Sequence, residues 1–343
     1  MYKINKELYD YIYLTIGAKY KKDPHGVQSN LENDRNKNLE YLGTYFPRSY
    51  VESYRIFCNV FDCFFNYDFK FGNTINILDV GSGTGGQLFG LLQALYEKSV
   101  HVKVNIFSVD GNKDALNIQK DIFDKQIKCR YGGRIKLYIY NERYNNKEDF
   151  IRHIKSKFYE INIMLSFKFL SEMVGTNEGI YTETLEIAEN ILSSDGILCL
   201  VDTTNEVKKN DGQNLYIPFI SNKEVFAYFR EKQNTRLHYF LPSCCAKNID
   251  KCPRDKCFVS YTVPVKYNAS EREHKEKIHH KLFMKRGTFS NRFRGSYHVH
   301  CHSQCIETKT NLCHCKTTCL LEAHETPLRD CNFEDSPFAF KII

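Results

Sequence analysis

The 343-residue chain reads as a doubly wound, mostly parallel α/β sheet, and three observations point there. Short, nearly continuous apolar runs alternate with helical segments five times, as buried parallel strands and their crossovers require. The first run, Ile75-Asn76-Ile77-Leu78-Asp79-Val80, leads directly into glycines. The last two runs, Leu237 to Leu241 and Phe258 to Val265, have no helix between them, so the sheet should end in a hairpin carrying a long loop.

In chain order, residues 1 to about 45 are polar and rich in Lys, Asn and Tyr, a composition for helices or a partly ordered arm. Tyr50, Val51, Tyr54, Ile56, Phe57, Val60 and Phe61 fall at helical spacings, and Pro47 stands where a helix can start. Strands follow at Ile75–Val80, Val102–Val109, Ile135–Tyr140, Ile161–Ser166 and Gly196–Asp202. The intervening helices are Leu88–Tyr96, Ala115–Phe123, Lys147–Phe158 and Thr182–Leu192. Ser221-Asn222-Lys223-Glu224 has the spacing of a capping box and predicts a helix start there. The expected division is a helical region over 1–70, the sheet domain over 71–267 with a Cys-rich loop at 242–258, and a basic, Cys/His-rich region over 268–343.

The chain is 42 % hydrophobic, enough for one sizeable core, and has no run of eighteen apolar residues. A membrane-spanning segment is therefore not expected. The first residues lack the pattern of a signal or transit peptide, so the expected location is cytoplasmic. The net charge is +7. Nine Lys or Arg against three acids lie between Lys266 and Arg294. Such a block suits a polyanion such as RNA, although a solvated helix face also explains its Glu/Lys-mixed half.

Ligands of doubly wound sheets sit outside the carboxyl ends of the strands. There the first strand gives Asp79, Gly81, Ser82, Gly83 and Gly85. Gly81, Gly83 and Gly86 fit a dinucleotide G-x-G-x-x-G pattern, which alone would suit NAD equally. Asp79 two residues before the first glycine makes the run resemble motif I of class I S-adenosylmethionine (SAM)-dependent methyltransferases. The resemblance implies that Asp79 helps hold the methionine ammonium. Asp110 ends the second strand, where a carboxylate can accept both ribose hydroxyls, and Gly111 and Asn112 follow it. The late strand pair resembles the antiparallel end of the methyltransferase sheet. The expected fold is thus a Rossmann-like class I methyltransferase sheet of seven strands, the last antiparallel, with N-terminal helices and a Cys/His-rich C-terminal extension.

Asn141 after the third strand can face the adenine, and Ser166 and Phe167 end the fourth strand beside the expected methyl position. That strand carries neither the Asn/Asp-Pro-Pro-aromatic motif of amino-methylating nucleic-acid enzymes nor the Pro-Cys pair of cytosine-C5 enzymes. The sequence thus singles out no catalytic residue. Methyl transfer can proceed by proximity and orientation alone.

Ten of the fourteen cysteines lie from Cys244 onward. Cys244, Cys245, Cys252 and Cys257 form one cluster, and Cys301, Cys305, Cys313, Cys315 and Cys319 the densest part of a second. In a reducing compartment such density suits zinc or an iron–sulfur cluster. Spacing does not say which four share a metal, and disulfides stay open if the compartment is oxidising.

The order of features from Phe46 to Tyr267 also resembles the mitochondrial-type small-ribosomal-subunit assembly methyltransferase-like family. The matching residues are Pro47-Arg48-Ser49-Tyr50, the stretch Ser166 to Met173, Leu200-Val201-Asp202-Thr203-Thr204, and Cys245, Cys252 and Cys257. The resemblance implies an iron–sulfur cluster on the loop cysteines and a ribosomal partner. Together these readings give the expectation of a SAM-dependent methyltransferase acting on RNA, with ribosomal RNA or ribosome assembly as its context. The alternatives are a non-catalytic SAM-binding assembly factor, and a small-molecule or protein methyltransferase with a structural metal.

Overall fold

The computed structural model describes residues 4, 6–21, 31–66, 68–98, 100–157, 160–203, 206–208, 214–241, 257–259, 261–265, 274–296, 304–307 and 313–316. Helix α1 (Lys6–Asp10) runs on into a π-helical turn over Tyr11–Ile16 that ends at Gly17. Helix α2 spans Arg35–Asn66. It begins twelve residues before Pro47, which lies inside it instead of at its start. Asp34 explains the early start: its side chain accepts the backbone N–H of Lys37 at 2.9 Å, an N-cap bond. Pro47 has no N–H and so leaves the carbonyl of Gly43, one turn back, without a helical partner. The Tyr13 hydroxyl donates to that carbonyl at 2.6 Å, which ties the N-terminal turn to α2 where the proline would otherwise cost a bond.

The sheet strands are β1 (Thr74–Val80), β2 (Lys103–Asp110), β3 (Ile135–Asn141), β4 (Ile161–Phe167) and β5 (Leu192–Thr203). Between them lie α3 (Gly86–Glu97), α4 (Lys113–Ile122), α5 (Lys147–Lys157), α6 (Phe169–Met173) and α7 (Ile180–Ile191). A two-strand hairpin, β6 (Glu206–Lys208) and β7 (Asn214–Tyr216), precedes α8 (Ile217–Glu231) and β8 (Leu237–Leu241). The chain continues through β9 (Cys257–Val259), β10 (Tyr261–Val265), β11 (His274–Lys285), α9 (Thr288–Ser296), β12 (Gln304–Glu307) and β13 (Cys313–Lys316).

The main sheet has the order β10-β11-β5-β4-β1-β2-β3, with β8 also on β11. Strands β1 to β5 are parallel to one another, and β11 is antiparallel to β5, β8 and β10. The five expected strands and their crossover helices are present. The antiparallel strand beside β5 is β11, however, and not Phe258–Val265, whose second half forms β10 at the sheet edge. The sheet therefore continues past residue 267. The run His274 to Lys285 reads as a charged block, and only Leu282-Phe283-Met284 betrays a buried strand. Lys281 is 1 % exposed within it. The expected basic block is consequently not one surface: Lys281 is buried, Lys285 Nζ donates to the Leu192 carbonyl, and Arg286 and Arg292 are exposed.

Helix α2 packs along α3, with Phe46 against Phe89 at 5.8 Å between ring centres. Phe57, Phe61 and Phe64, all fully buried, continue that face of α2. Full burial of each such ring contributes about 1.5–3 kcal/mol. The helices approach closely enough that a Cβ on Gly90 would stand 2.2 Å from the Tyr50 carbonyl.

The capping-box reading of Ser221 to Glu224 is corrected. Helix α8 already starts at Ile217, and Glu224 caps a different helix. Its carboxylate accepts the N–H groups of Gly179 at 3.2 Å, Tyr181 at 2.8 Å and Thr182 at 3.4 Å, the free donors at the start of α7. Glu224→Ala is expected to lower stability by about 1–3 kcal/mol. Urea unfolding followed by circular dichroism checks this, since the chain has no tryptophan; an unchanged midpoint would contradict it.

Candidate cofactor-binding site

The carboxyl ends of β1 and β2 meet at the glycine turn. Gly81, Gly83 and Gly85 have φ of 67°, 53° and 86°, a left-handed backbone that side chains rarely adopt. Strand β2 holds the turn from below: Gly81 and Ser82 donate their N–H groups to the Val109 carbonyl at 3.0 and 3.2 Å. The Asp110 carboxylate accepts the Gly83 N–H at 2.7 Å through one oxygen and the Asn112 N–H at 2.7 Å through the other. Gln119 on α4 donates to the Ser82 hydroxyl at 2.7 Å. Gln87 on α3 donates to Asp79 Oδ1 at 3.1 Å and to the Ser82 carbonyl at 3.2 Å. The turn is thus fixed by side chains from two helices and by one carboxylate before any ligand arrives, an arrangement that pre-organises its backbone.

The two acids lie in the places read from the sequence. Asp79 is fully buried, and its Oδ2 has no hydrogen-bond partner. Burial pushes its carboxyl up to about 7, and the nearby Asp110 charge acts in the same direction, against the bond from Gln87. Asp110 is also raised by burial, opposed by its two backbone bonds. The folded Asp79 value lies above the ordinary carboxylate value of 3.8, so its protonation favours the fold. That contribution is complete below about pH 4 and is lost as the pH rises through about 7. The ligand-free protein should lose on the order of a few kcal/mol across this window. Asp79→Asn should flatten the Asp79 part of the profile, although Asp202, raised to about 6 by its own burial, keeps a share. Urea midpoints at pH 4.5 and 8 for the two proteins decide it; parallel profiles would contradict the assignment.

The remaining sequence-picked residues are at the same end of the sheet, several with structural partners. Asn112 caps α4 through the Ala115 N–H at 3.0 Å and exchanges amide hydrogen bonds with Asn38 of α2. A Cβ on Gly111 would meet Leu31 at 2.3 Å, and Arg143 pairs with Glu32 at 2.8 Å. The segment before α2 therefore lies over the end of β2. Asn141 donates to the carbonyls of Asp110 and Gly111 at 3.1 and 3.0 Å, bracing the turn after β2. Ser166 and Phe167 are buried at the end of β4, and the Ser166 hydroxyl has no hydrogen-bond partner.

Two residues escaped the sequence reading. Lys168, just past β4, has φ 63° and pairs through Nζ with Glu52 of α2 at 2.7 Å. Glu52 is 1 % exposed. No local pattern links positions 52 and 168. Beside them, Asp202 at the end of β5 accepts from the Ser171 N–H at 3.2 Å and the Tyr181 hydroxyl at 2.8 Å. A cavity of about 410 Å³ lined by Tyr144, Lys147, Met173, Asn177 and Glu183 opens past the ends of β3 and β4. A second, of about 340 Å³, lies at the amino ends of β1, β4 and β5, on the opposite side from the glycine turn.

Five parallel strands in the order 3-2-1-4-5, an antiparallel strand beyond the fifth, and a glycine turn with acids at the first two strand ends decide the architecture. This is the class I methyltransferase fold. Searches for relatives give no matching family model and no matching curated protein. The resemblance to the ribosome-assembly family thus rests on the quoted residues alone. Solved structures do match. The methyltransferase BpumL of plantazolicin, solved with SAH, is 13 % identical with a TM-score of 0.41, over 82 % of this chain and 94 % of that one. A putative class I methyltransferase from Listeria monocytogenes is 12 % identical with a TM-score of 0.39, over 82 % and 69 %. A putative RNA methyltransferase from Pyrococcus horikoshii is 13 % identical with a TM-score of 0.38, over 83 % and 98 %.

For the metal reading, Cys244, Cys245, Cys252, Cys301 and Cys319 lie outside the described residues. Cys257, Cys305, Cys313 and Cys315 lie on strands whose backbone alone is described. Among the residues whose side chains are described, no group of three His, Cys, Asp or Glu could hold a metal, and Cys58, Cys63, Cys129 and Cys199 are free thiols. No helix among the described residues is long and apolar enough to cross a membrane.

Proposed function

We propose that the chain is a methyltransferase that uses S-adenosylmethionine and acts on RNA. The observation that carries the cofactor reading is the pair of acids on the glycine turn. Asp79 presents a buried carboxylate oxygen without a partner, which suits the ammonium of the methionine moiety. Asp110 uses one lone pair of each oxygen to hold the turn, and each oxygen retains another for a ribose hydroxyl. An ammonium beside Asp79 would also offset the burial that raises its carboxyl. When bound, the cofactor supplies an electrophilic methyl on sulfur. The chain's own residues bind and orient it: the turn by its backbone, Asp79 and Asp110 by charge, and the β4 end by closing one side.

The acceptor reading leans on charge. The net charge is +7, with Lys275 and Lys277 on β11 and exposed Arg286 and Arg292 after it. Strand β8 runs parallel to β5, so the chain after Leu241 leaves on the side of the glycine turn. The metal reading of the cysteine clusters belongs to the same proposal: a bound metal would tie the cysteine-bearing segments together. Incubation with methyl-labelled SAM and separate RNA, protein and metabolite fractions tests the acceptor. Label in RNA, with binding that weakens as salt rises, is the expected result. Label in protein or metabolites, or in no fraction despite SAM binding, overturns the RNA reading.

A further inference from the structure

The end of β4 is tied to α2 by a buried charge pair. Glu52 of α2 is 1 % exposed. The Lys168 Nζ donates to its Oε1 at 3.0 Å and lies 2.7 Å from its Oε2. The Ser49 hydroxyl, one turn earlier on α2, is 3.5 Å from the same Nζ. The Lys168 backbone is fixed as well. Its N–H donates to the Val201 carbonyl at 2.6 Å, and its carbonyl accepts the Ser171 hydroxyl at 2.7 Å. The position is unfavourable on two counts. Lys168 has φ 63°, a left-handed backbone that glycine adopts without strain and lysine does not. A buried carboxylate loses its hydration, and an apolar pair of similar volume would tie the helix without that loss. Backbone strain of this kind clusters at functional sites, where the surrounding structure over-determines it.

The pair stands beside the glycine turn. Val80 and Ser166 are register partners on β1 and β4, so Lys168, two residues further on, is level with the turn. Phe169 packs on Gly81, where an added Cβ would stand 2.3 Å from the Phe169 Cβ. A Cβ on Gly86 would stand 2.6 Å from the Phe46 carbonyl oxygen, so α2 passes the same turn before it reaches Glu52. The pair therefore joins the two walls that flank the turn. We propose that the Lys168–Glu52 pair sets the net charge beside the cofactor's sulfonium, and so sets how strongly the site prefers SAM to its demethylated product, S-adenosylhomocysteine. This rests on the SAM reading of the glycine turn. The sulfur joins the methionine and ribose parts that Asp79 and Asp110 would hold, so it falls over the turn between them. It is a cation in SAM and a neutral thioether in the product. A balanced pair neither repels the cation nor traps it. Either partner alone would act on SAM through its charge and leave the neutral product almost untouched.

The test is calorimetric titration of the full chain with SAM and, separately, with S-adenosylhomocysteine. Both are run at one ionic strength and about pH 8, where a carboxylate left without its partner ionises. Glu52→Gln leaves the lysine charge alone, and the ratio of SAM affinity to product affinity should fall about fivefold or more. Lys168→Gln leaves the carboxylate alone, and the same ratio should rise by a similar factor. The double variant, Glu52→Gln with Lys168→Gln, carries neither charge and should return the ratio close to that of the wild type. Opposite shifts with recovery in the double variant support the proposal. A purely structural tie between α2 and β4 would instead weaken both ligands together, and the double variant would be no better than either single one. A ratio that does not move in Lys168→Gln, or moves the same way in both single variants, overturns the proposal. The Lys168 side chain is 17 % exposed, so Lys168→Gln and the double variant carry the test even where Glu52→Gln fails to fold. A folded wild type that binds neither ligand overturns the cofactor reading as well, whereas SAM binding with an unmoved ratio overturns the role of the pair alone.

Discussion

Asp110→Ala is expected to abolish measurable SAM binding, a loss of about a hundredfold or more in affinity. Two losses combine. The acceptors proposed for the ribose disappear, and the glycine turn loses its carboxylate anchor. The N–H groups of Gly83 and Asn112, each 2.7 Å from that carboxylate, are left buried without acceptors. Hydrogen bonds to a charged group contribute about 1.5–3 kcal/mol each. The ligand-free variant should therefore also lose about 2–4 kcal/mol of stability. Asp110→Asn separates the two effects. An amide keeps one acceptor for the turn but has no charge for the ribose, so it should recover part of the stability and little of the affinity. Calorimetric titration and urea unfolding of the three proteins check this. Wild-type affinity in Asp110→Ala would remove Asp110 from the site.

Gly81→Ala should have the largest structural effect of any single methyl. Gly81 has φ 67°, where a Cβ costs about 1–2 kcal/mol. The added Cβ would also stand 2.3 Å from the Phe169 Cβ, the first residue of α6. That contact involves the root of a side chain, which no rotamer change can relieve. The turn or the start of α6 must shift, so about 3 kcal/mol or more of stability should go. SAM binding should go with it, because the backbone between Gly81 and Gly85 no longer keeps its shape. Thermal unfolding and calorimetry decide this, and an unchanged melting temperature would show that the turn has freedom the packing denies. Gly111→Ala is the control outside the turn: its Cβ would press on the tip of Leu31, a flexible side chain, and the loss should be smaller.

Much of the centre of the fold was legible because its signals are local. A buried parallel strand is a short apolar run, and β1 to β5 each show one. Asp79, the glycines and Asp110 are adjacent to those runs, so their place at the strand ends followed at once. What escaped was non-local. Helix α2 starts at the cap of Asp34, but Pro47 looked like the better start, because the Tyr13 hydroxyl that satisfies Gly43 lies thirty residues away. Ser221 to Glu224 has capping-box spacing, yet Glu224 is used by α7. Strand β11 hid behind lysines and histidines, since a strand paired on both sides carries Lys281 inside the sheet. The Lys168–Glu52 pair joins residues 116 apart, which no spacing rule reaches.

The most direct measurement is a calorimetric titration of the purified chain with SAM and, in parallel, with NAD. The proposed function predicts saturable binding of SAM at one site per chain, weakened by about a hundredfold or more in Asp110→Ala, and no binding of NAD. Binding of NAD in preference to SAM, or no binding of SAM by a folded protein, would contradict it.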